Sequence, residues 1–108
     1  MKTLDIAPED LEEVKKILQY CVPQYTVWAF GSRVTGKAKK FSDLDLVIMT
    51  DTRLDIHTLS KLRDVFSISD LPFKVDVVDW SSTREEFKKI IQNDYIVIQE
   101  KPNHSEYL

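Results

Sequence analysis

Leu11, Val14, Ile17, Leu18 and Cys21 recur on one face of a 3.6-residue repeat, which predicts a helix over 8–19. Pro8 suits the first turn of that helix, and Glu9, Asp10, Glu12 and Glu13 suit the positive end of its dipole. Pro23 stops it. The period then changes. The β-branched and aromatic run YTVWAF predicts a strand over 25–30, broken by Gly31, and 32–36 has room for one helical turn. A second strand is expected over 44–50, followed by a loop at Asp51, Thr52 and Arg53. Ile56, Leu59, Leu62, Phe66 and Ile68 return to helical spacing, so a helix is expected over 55–67. Pro72 closes the next loop, and FKVDVVD predicts a third strand over 73–79. Ser82 and Glu85 form a capping-box pattern opening a helix over 83–93. Residues 95–99 suit a short final strand, and the polar tail KPNHSEYL at 101–108 is expected to be loose, outside a single domain over 1–100.

Strand alternation assigns faces to the acids. Asp43 and Asp45 share one face, while Leu44, Leu46 and Ile48 take the other and need a helical cover. On the third strand Asp76 alternates with Val75 and Val77, which puts it in phase with the pair. The helix between strands two and three favours a parallel pairing with a right-handed crossover. Three carboxylates would then crowd one patch, an arrangement that raises their pKa values unless a cation sits among them. Oxygen-ligated hard divalent ions meet that need, and Mg²⁺ keeps positions open for water and phosphate.

Both glycines of the chain, Gly31 and Gly36, lie in the stretch FGSRVTGKAKKFSDLDLV. If strands one and two are antiparallel neighbours, the Gly31–Ser32 turn meets the acids at one edge of the sheet. A helix start with the Ser32 hydroxyl is a phosphate cradle. Arg33, Lys37, Lys39 and Lys40 add local positive charge, although a solubilising loop would look the same. Asp79 falls out of phase with Asp76 and reads as a strand end, and Asp51 as a turn former. His57 and His104 lack zinc spacing, and Trp28 and Trp80 read as packing residues.

Composition narrows the picture further. The chain has 108 residues, 43% apolar and 31% charged, enough for one core. A net charge of -3 argues against a general nucleic-acid binder, so any phosphate affinity must be local. The single cysteine, Cys21, excludes an internal disulfide and suits a reducing compartment. No signal-peptide core or membrane span is visible, and a cytoplasmic location is expected.

Gly31-Ser32, ten residues, Asp43-Leu44-Asp45 and a later strand acid, Asp76, together resemble the signature of the DNA polymerase β-like nucleotidyltransferase superfamily. Phe30, Arg33, Gly36 and Ser42 extend the similarity to the minimal nucleotidyltransferases, over roughly residues 10–95. The resemblance implies an α+β fold: a mixed three-stranded sheet in order 1-2-3, helices covering one face, and an open face carrying the site. It implies ATP as nucleotide substrate and two Mg²⁺ ions held by Asp43, Asp45 and Asp76. Gly31 and Ser32 would hold the β- and γ-phosphates, with Arg33, Lys37, Lys39 and Lys40 neutralising the leaving pyrophosphate. Asp76 would also orient or deprotonate the acceptor hydroxyl. The implied partner is a helical HEPN-family toxin in a hetero-oligomer, modified with AMP by its antitoxin. The alternative is an antitoxin that neutralises by contact, with a vestigial nucleotide site.

Overall fold

Leu44, Leu46 and Ile48 are fully buried on one side of strand β2 (Leu44–Ile48), and the molecule is organised around that strand. A computed structural model of the chain describes residues 3–102. On one flank β2 pairs antiparallel with β1 (Val27–Phe30), and on the other it pairs parallel with β3 (Val75–Asp79). The order β1-β2-β3 expected from the sequence is present, but the sheet has a fourth member. Strand β4 (Ile96–Gln99) pairs antiparallel with the free edge of β1, giving β3-β2-β1-β4. Gln99 Nε2 anchors it by donating to the carbonyls of Val22 and Tyr25, each at 2.9 Å.

Helices α1 (Pro8–Cys21) and α3 (Ile56–Ile68) pack together over the Leu44/Leu46/Ile48 face. Val14 and Leu18 of α1, and Leu62 and Phe66 of α3, enter that core. Burying a side chain of this size contributes about 1.5–3 kcal/mol. Pro8 and two acids, Glu9 and Asp10, occupy the α1 start, and Asp55 caps α3 by accepting from the Thr58 amide at 3.1 Å. Ile56 and Ile68, expected on the apolar face of α3, are instead exposed at its two ends, where the core has already tapered.

The opposite face is only partly open. Trp28, Phe30, Val47 and Val78 point to it and need cover. Helix α4 (Glu85–Asn93) supplies that cover through Ile91, which is fully buried, and through the Phe87 ring, set edge-on to Phe30 at 5.6 Å. The expectation that all helices lie on one side is therefore corrected. Trp28 stacks on Tyr95 with ring centres 3.9 Å apart and meets Trp80 edge-on, in keeping with the packing role read from the sequence.

The capping box does not form. Ser82 donates its amide to Asp79 Oδ1 at 2.8 Å and the Thr83 hydroxyl donates to the Asp79 carbonyl at 2.7 Å, so both residues belong to the turn leaving β3. Helix α4 starts later, at Glu85, with no side-chain cap. Asp79, read as a mere strand end, is a buried staple whose Oδ2 accepts from the Leu54 amide at 2.8 Å. Burial alone would raise its carboxyl, but hydrogen bonds from Leu54, Ser82 and Ser81 outweigh that and hold it below the ordinary range. Among the described residues no helix is long and apolar enough to cross a membrane. His104 and most of the expected tail lie outside the described residues.

Candidate functional site

Phe30, Asp45 and Asp76 form one row across the sheet. Phe30 is the antiparallel partner of Asp45, and Asp45 the parallel partner of Asp76. Backbones of neighbouring strands lie about 4.8 Å apart, so the two carboxylates are side by side on the face away from the main core. Asp43 precedes β2 by one residue and is exposed. Burial first, then the charges of Asp76 and Asp43, push the Asp45 carboxyl up from 3.8 to about 6. The phase read from the sequence therefore brings the three acids into one electrostatic cluster. Among the described residues, however, no set of three carboxylate, histidine or cysteine side chains closes into a preassembled metal cage. The donor set fits a hard divalent ion all the same. It is all oxygen, carries unrelieved mutual repulsion, and leaves coordination positions to water and phosphate.

Gly31 closes the row. Its φ of 81° with ψ of −158° lies in a region only glycine enters readily. A β-carbon there would overlap Asp45 Oδ2, so the missing side chain is what lets the turn lie against the acid. Ser32 opens the single helical turn α2 (Ser32–Thr35), and Gly36 ends it in the left-handed conformation. The strand–Gly–Ser–turn unit thus delivers Ser32 to the edge of the sheet at which Asp45 starts.

The basic residues separate into two kinds. Arg33 is buried, with its guanidinium 4.4 Å over the Phe73 ring. It donates through Nε and one Nη to the Ser42 carbonyl at 3.0 and 2.8 Å, to the Asp5 carbonyl at 2.8 Å and to the Lys40 carbonyl at 3.3 Å. The phosphate contact expected of Arg33 is corrected accordingly: its donors are committed to carbonyls, and it holds the loop that leads into Asp43. Lys37, Lys39 and Lys40 are exposed on that loop. Lys39 and Lys40 border a shallow groove with Asp5, Asp10, Pro72 and Phe73 rather than the cleft that contains Asp45 and Asp76. Arg33→Met should cost about 2–4 kcal/mol, because several carbonyls lose charged donors at once. Arg33→Lys should recover little of this, since one ammonium cannot span three carbonyls. Urea denaturation measures both, with Lys39→Ala as the control expected to stay within about 0.5 kcal/mol of the parent.

The family model described as "Polymerase beta, Nucleotidyltransferase" matches residues 12–104. The chain belongs to that family. A relative from Haemophilus influenzae, named "Probable protein adenylyltransferase MntA", is 58% identical to this nucleotidyltransferase over 98 residues, spanning 91% of this chain and 86% of the relative. Solved structures that share its fold include two toxin–antitoxin assemblies. One is a toxin–antitoxin crystal structure with AMP-PNP, at a TM-score of 0.70 and 21% identity, covering 90% of this chain and 78% of the other. The second is a tri-AMPylated Shewanella oneidensis HEPN toxin in complex with MNT antitoxin, at a TM-score of 0.64 and 19% identity, covering 92% and 76%.

One cleft beside the candidate site has no counterpart in the sequence-based expectations. Between α4 and the sheet lies a cleft of about 300 Å³, bounded by Asp45, Asp76 and Gly31 and walled by Phe30, Val78, Phe87 and Ile90. The signal was present as Phe87, Ile90 and Ile91, whose three- and four-residue spacing makes one helical stripe. Periodicity reveals such a stripe but not which face of the sheet it covers.

Proposed function

We propose that this nucleotidyltransferase is the antitoxin of a two-protein module and moves AMP from ATP to a hydroxyl of a helical HEPN-family partner. The reading is carried by Asp45 and Asp76 standing in register beside the Gly31–Ser32 turn. The identity to a protein named as an adenylyltransferase supports it, as does the shared fold with an antitoxin bound to an AMPylated toxin. Asp43, Asp45 and Asp76 would hold the two Mg²⁺ ions. When bound, such ions supply charge neutralisation and Lewis-acid polarisation of the transferring phosphoryl group.

The remaining work falls to the chain itself. Gly31 lets the triphosphate approach its backbone closely, and the Ser32 hydroxyl donates to a β- or γ-phosphate oxygen. Lys37, Lys39 and Lys40 sit on a loop that Arg33 fixes, and one or more of them meets charge on the departing pyrophosphate. Asp76 orients the acceptor hydroxyl and takes up its proton. The acceptor oxygen bonds to the α-phosphorus as the bond from that phosphorus to the α,β-bridging oxygen breaks, releasing pyrophosphate.

The test is to incubate the chain with labelled ATP, Mg²⁺ and the protein encoded beside it. Label is expected on the partner, and none with Asp43→Asn. An intact partner left unlabelled by all four nucleoside triphosphates, yet silenced equally by the parent and Asp43→Asn, would replace this reading with neutralisation by contact.

A further inference from the structure

We propose that the cleft between α4 and the sheet seats the nucleobase of the triphosphate, with Phe87 as its stacking ring and Ile90 as the second wall. The proposal rests on the nucleotidyl-transfer reading above and adds to it how a chain this small contacts the base. Three observations carry it. The cleft runs directly from Asp45 and Asp76, so a nucleotide whose α-phosphate would be held through metal ions on those acids reaches it without leaving the sheet face. Its charge is of one kind. Among the described residues no lysine or arginine lines it, whereas Lys39 and Lys40 border a different groove beyond the start of β2. Phosphates are repelled from an acid-edged apolar cleft and drawn toward the basic loop. A nucleotide laid across the acids is thereby polarised, with its tail toward the loop and its uncharged base toward α4.

The third observation is the state of the two side chains. Phe87 is 40% exposed and Ile90 61% exposed, although both belong to the stripe that docks α4 through Ile91. Phe87 is nevertheless held in place by its edge-on contact with Phe30, itself only 8% exposed, so a flat apolar surface is presented rather than a free side chain. A volume near 300 Å³ suits one planar ring system with part of a sugar and falls at the small end for ligand pockets.

The experiment measures binding of Mg²⁺·ATP and of Mg²⁺·tripolyphosphate to the whole chain by equilibrium dialysis, without any partner. Phe87→Ala should weaken ATP about tenfold, in the range of lost base–aromatic stacking, and leave tripolyphosphate unchanged. Ile90→Ala should act in the same direction, and Phe87→Tyr should restore ATP affinity. Both alanine positions are partly exposed, and a melting curve checks that each variant is folded. Equal binding of ATP and tripolyphosphate by the parent overturns the proposal while leaving the transfer reading intact. So does a Phe87→Ala protein that keeps parental ATP affinity but labels the partner more slowly, because the cleft then seats the acceptor. A parent that binds neither ligand and labels nothing overturns the transfer reading and this proposal together.

Discussion

Asp45→Asn is expected to abolish transfer and, in the absence of metal, to make the protein more stable. The two effects share one cause. Asp45 is pushed up to about 6 by burial and by Asp76 and Asp43, against 3.8 for the free side chain. With the folded value above the unfolded one, the stability linked to its proton is fully present below 3.8 and is lost as pH rises through about 6. At pH 7.5 the folded protein therefore carries an ionised, half-buried acid beside two others. A neutral amide of the same shape removes that repulsion. After discounting for solvent screening the gain should be about 1–2 kcal/mol, or a melting temperature higher by roughly 5–10 °C. The difference between variant and parent should shrink to nothing near pH 4. Added Mg²⁺ should raise the melting temperature of the parent and not that of the variant. Transfer should fall by about a thousandfold or more, the scale of losing a principal electrostatic group at a reacting centre. Thermal melts across pH with and without Mg²⁺, set beside the labelling assay, measure all of this. A variant less stable than its parent at pH 7.5 would show that Asp45 is a structural acid.

Gly31→Ala should be as damaging to activity and should also damage the fold. The backbone at Gly31 sits at φ 81° and ψ −158°, where an alanine costs about 1–3 kcal/mol. The new β-carbon would also overlap Asp45 Oδ2, so either the turn or the acid must move. A displacement of about 1 Å at a reacting centre lowers rates on the order of a hundredfold. A double-mutant cycle separates the two costs. In an Asp45→Ala background the overlap disappears and only the backbone strain remains, so Gly31→Ala should cost clearly less stability there. Equal costs in both backgrounds would mean that Gly31 is needed for its turn alone and not for its approach to the acid. Gly36 offers a contrast: it has the same sign of φ, but nothing lies near its missing side chain, so only the backbone term applies.

Element types were legible because each segment repeats with the period of its own structure. Helices α1 and α3 and strands β1 to β3 appear where apolar spacing places them, with ends shifted by up to two residues. Local causes are visible at two starts: Tyr25 and Thr26 belong to a connection tied down by Gln99 Nε2 and the Lys101 amide, and α4 begins two residues late because Ser82 and Thr83 are drawn into the Asp79 turn. The phase of the acids was legible for the same reason. Side chains on a strand alternate strictly, so Asp45 and Asp76 had to share a face once β2 and β3 were parallel neighbours.

Arg33 and α4 were not legible, and the reason is common to both. A guanidinium near a Gly-Ser turn has the charge to hold phosphate, and nothing local says that carbonyls from residues 5, 40 and 42 will surround it. The apolar stripe of α4 requires a surface to cover but does not choose between two faces of a sheet, each of which has apolar residues to offer. Local spacing determined the elements, the family signature and the row of acids, because these depend on backbone geometry over a few residues. Only the tertiary structure decided which charges stay free for a ligand and where the cleft beside the acids lies, because both depend on groups brought together from distant parts of the chain.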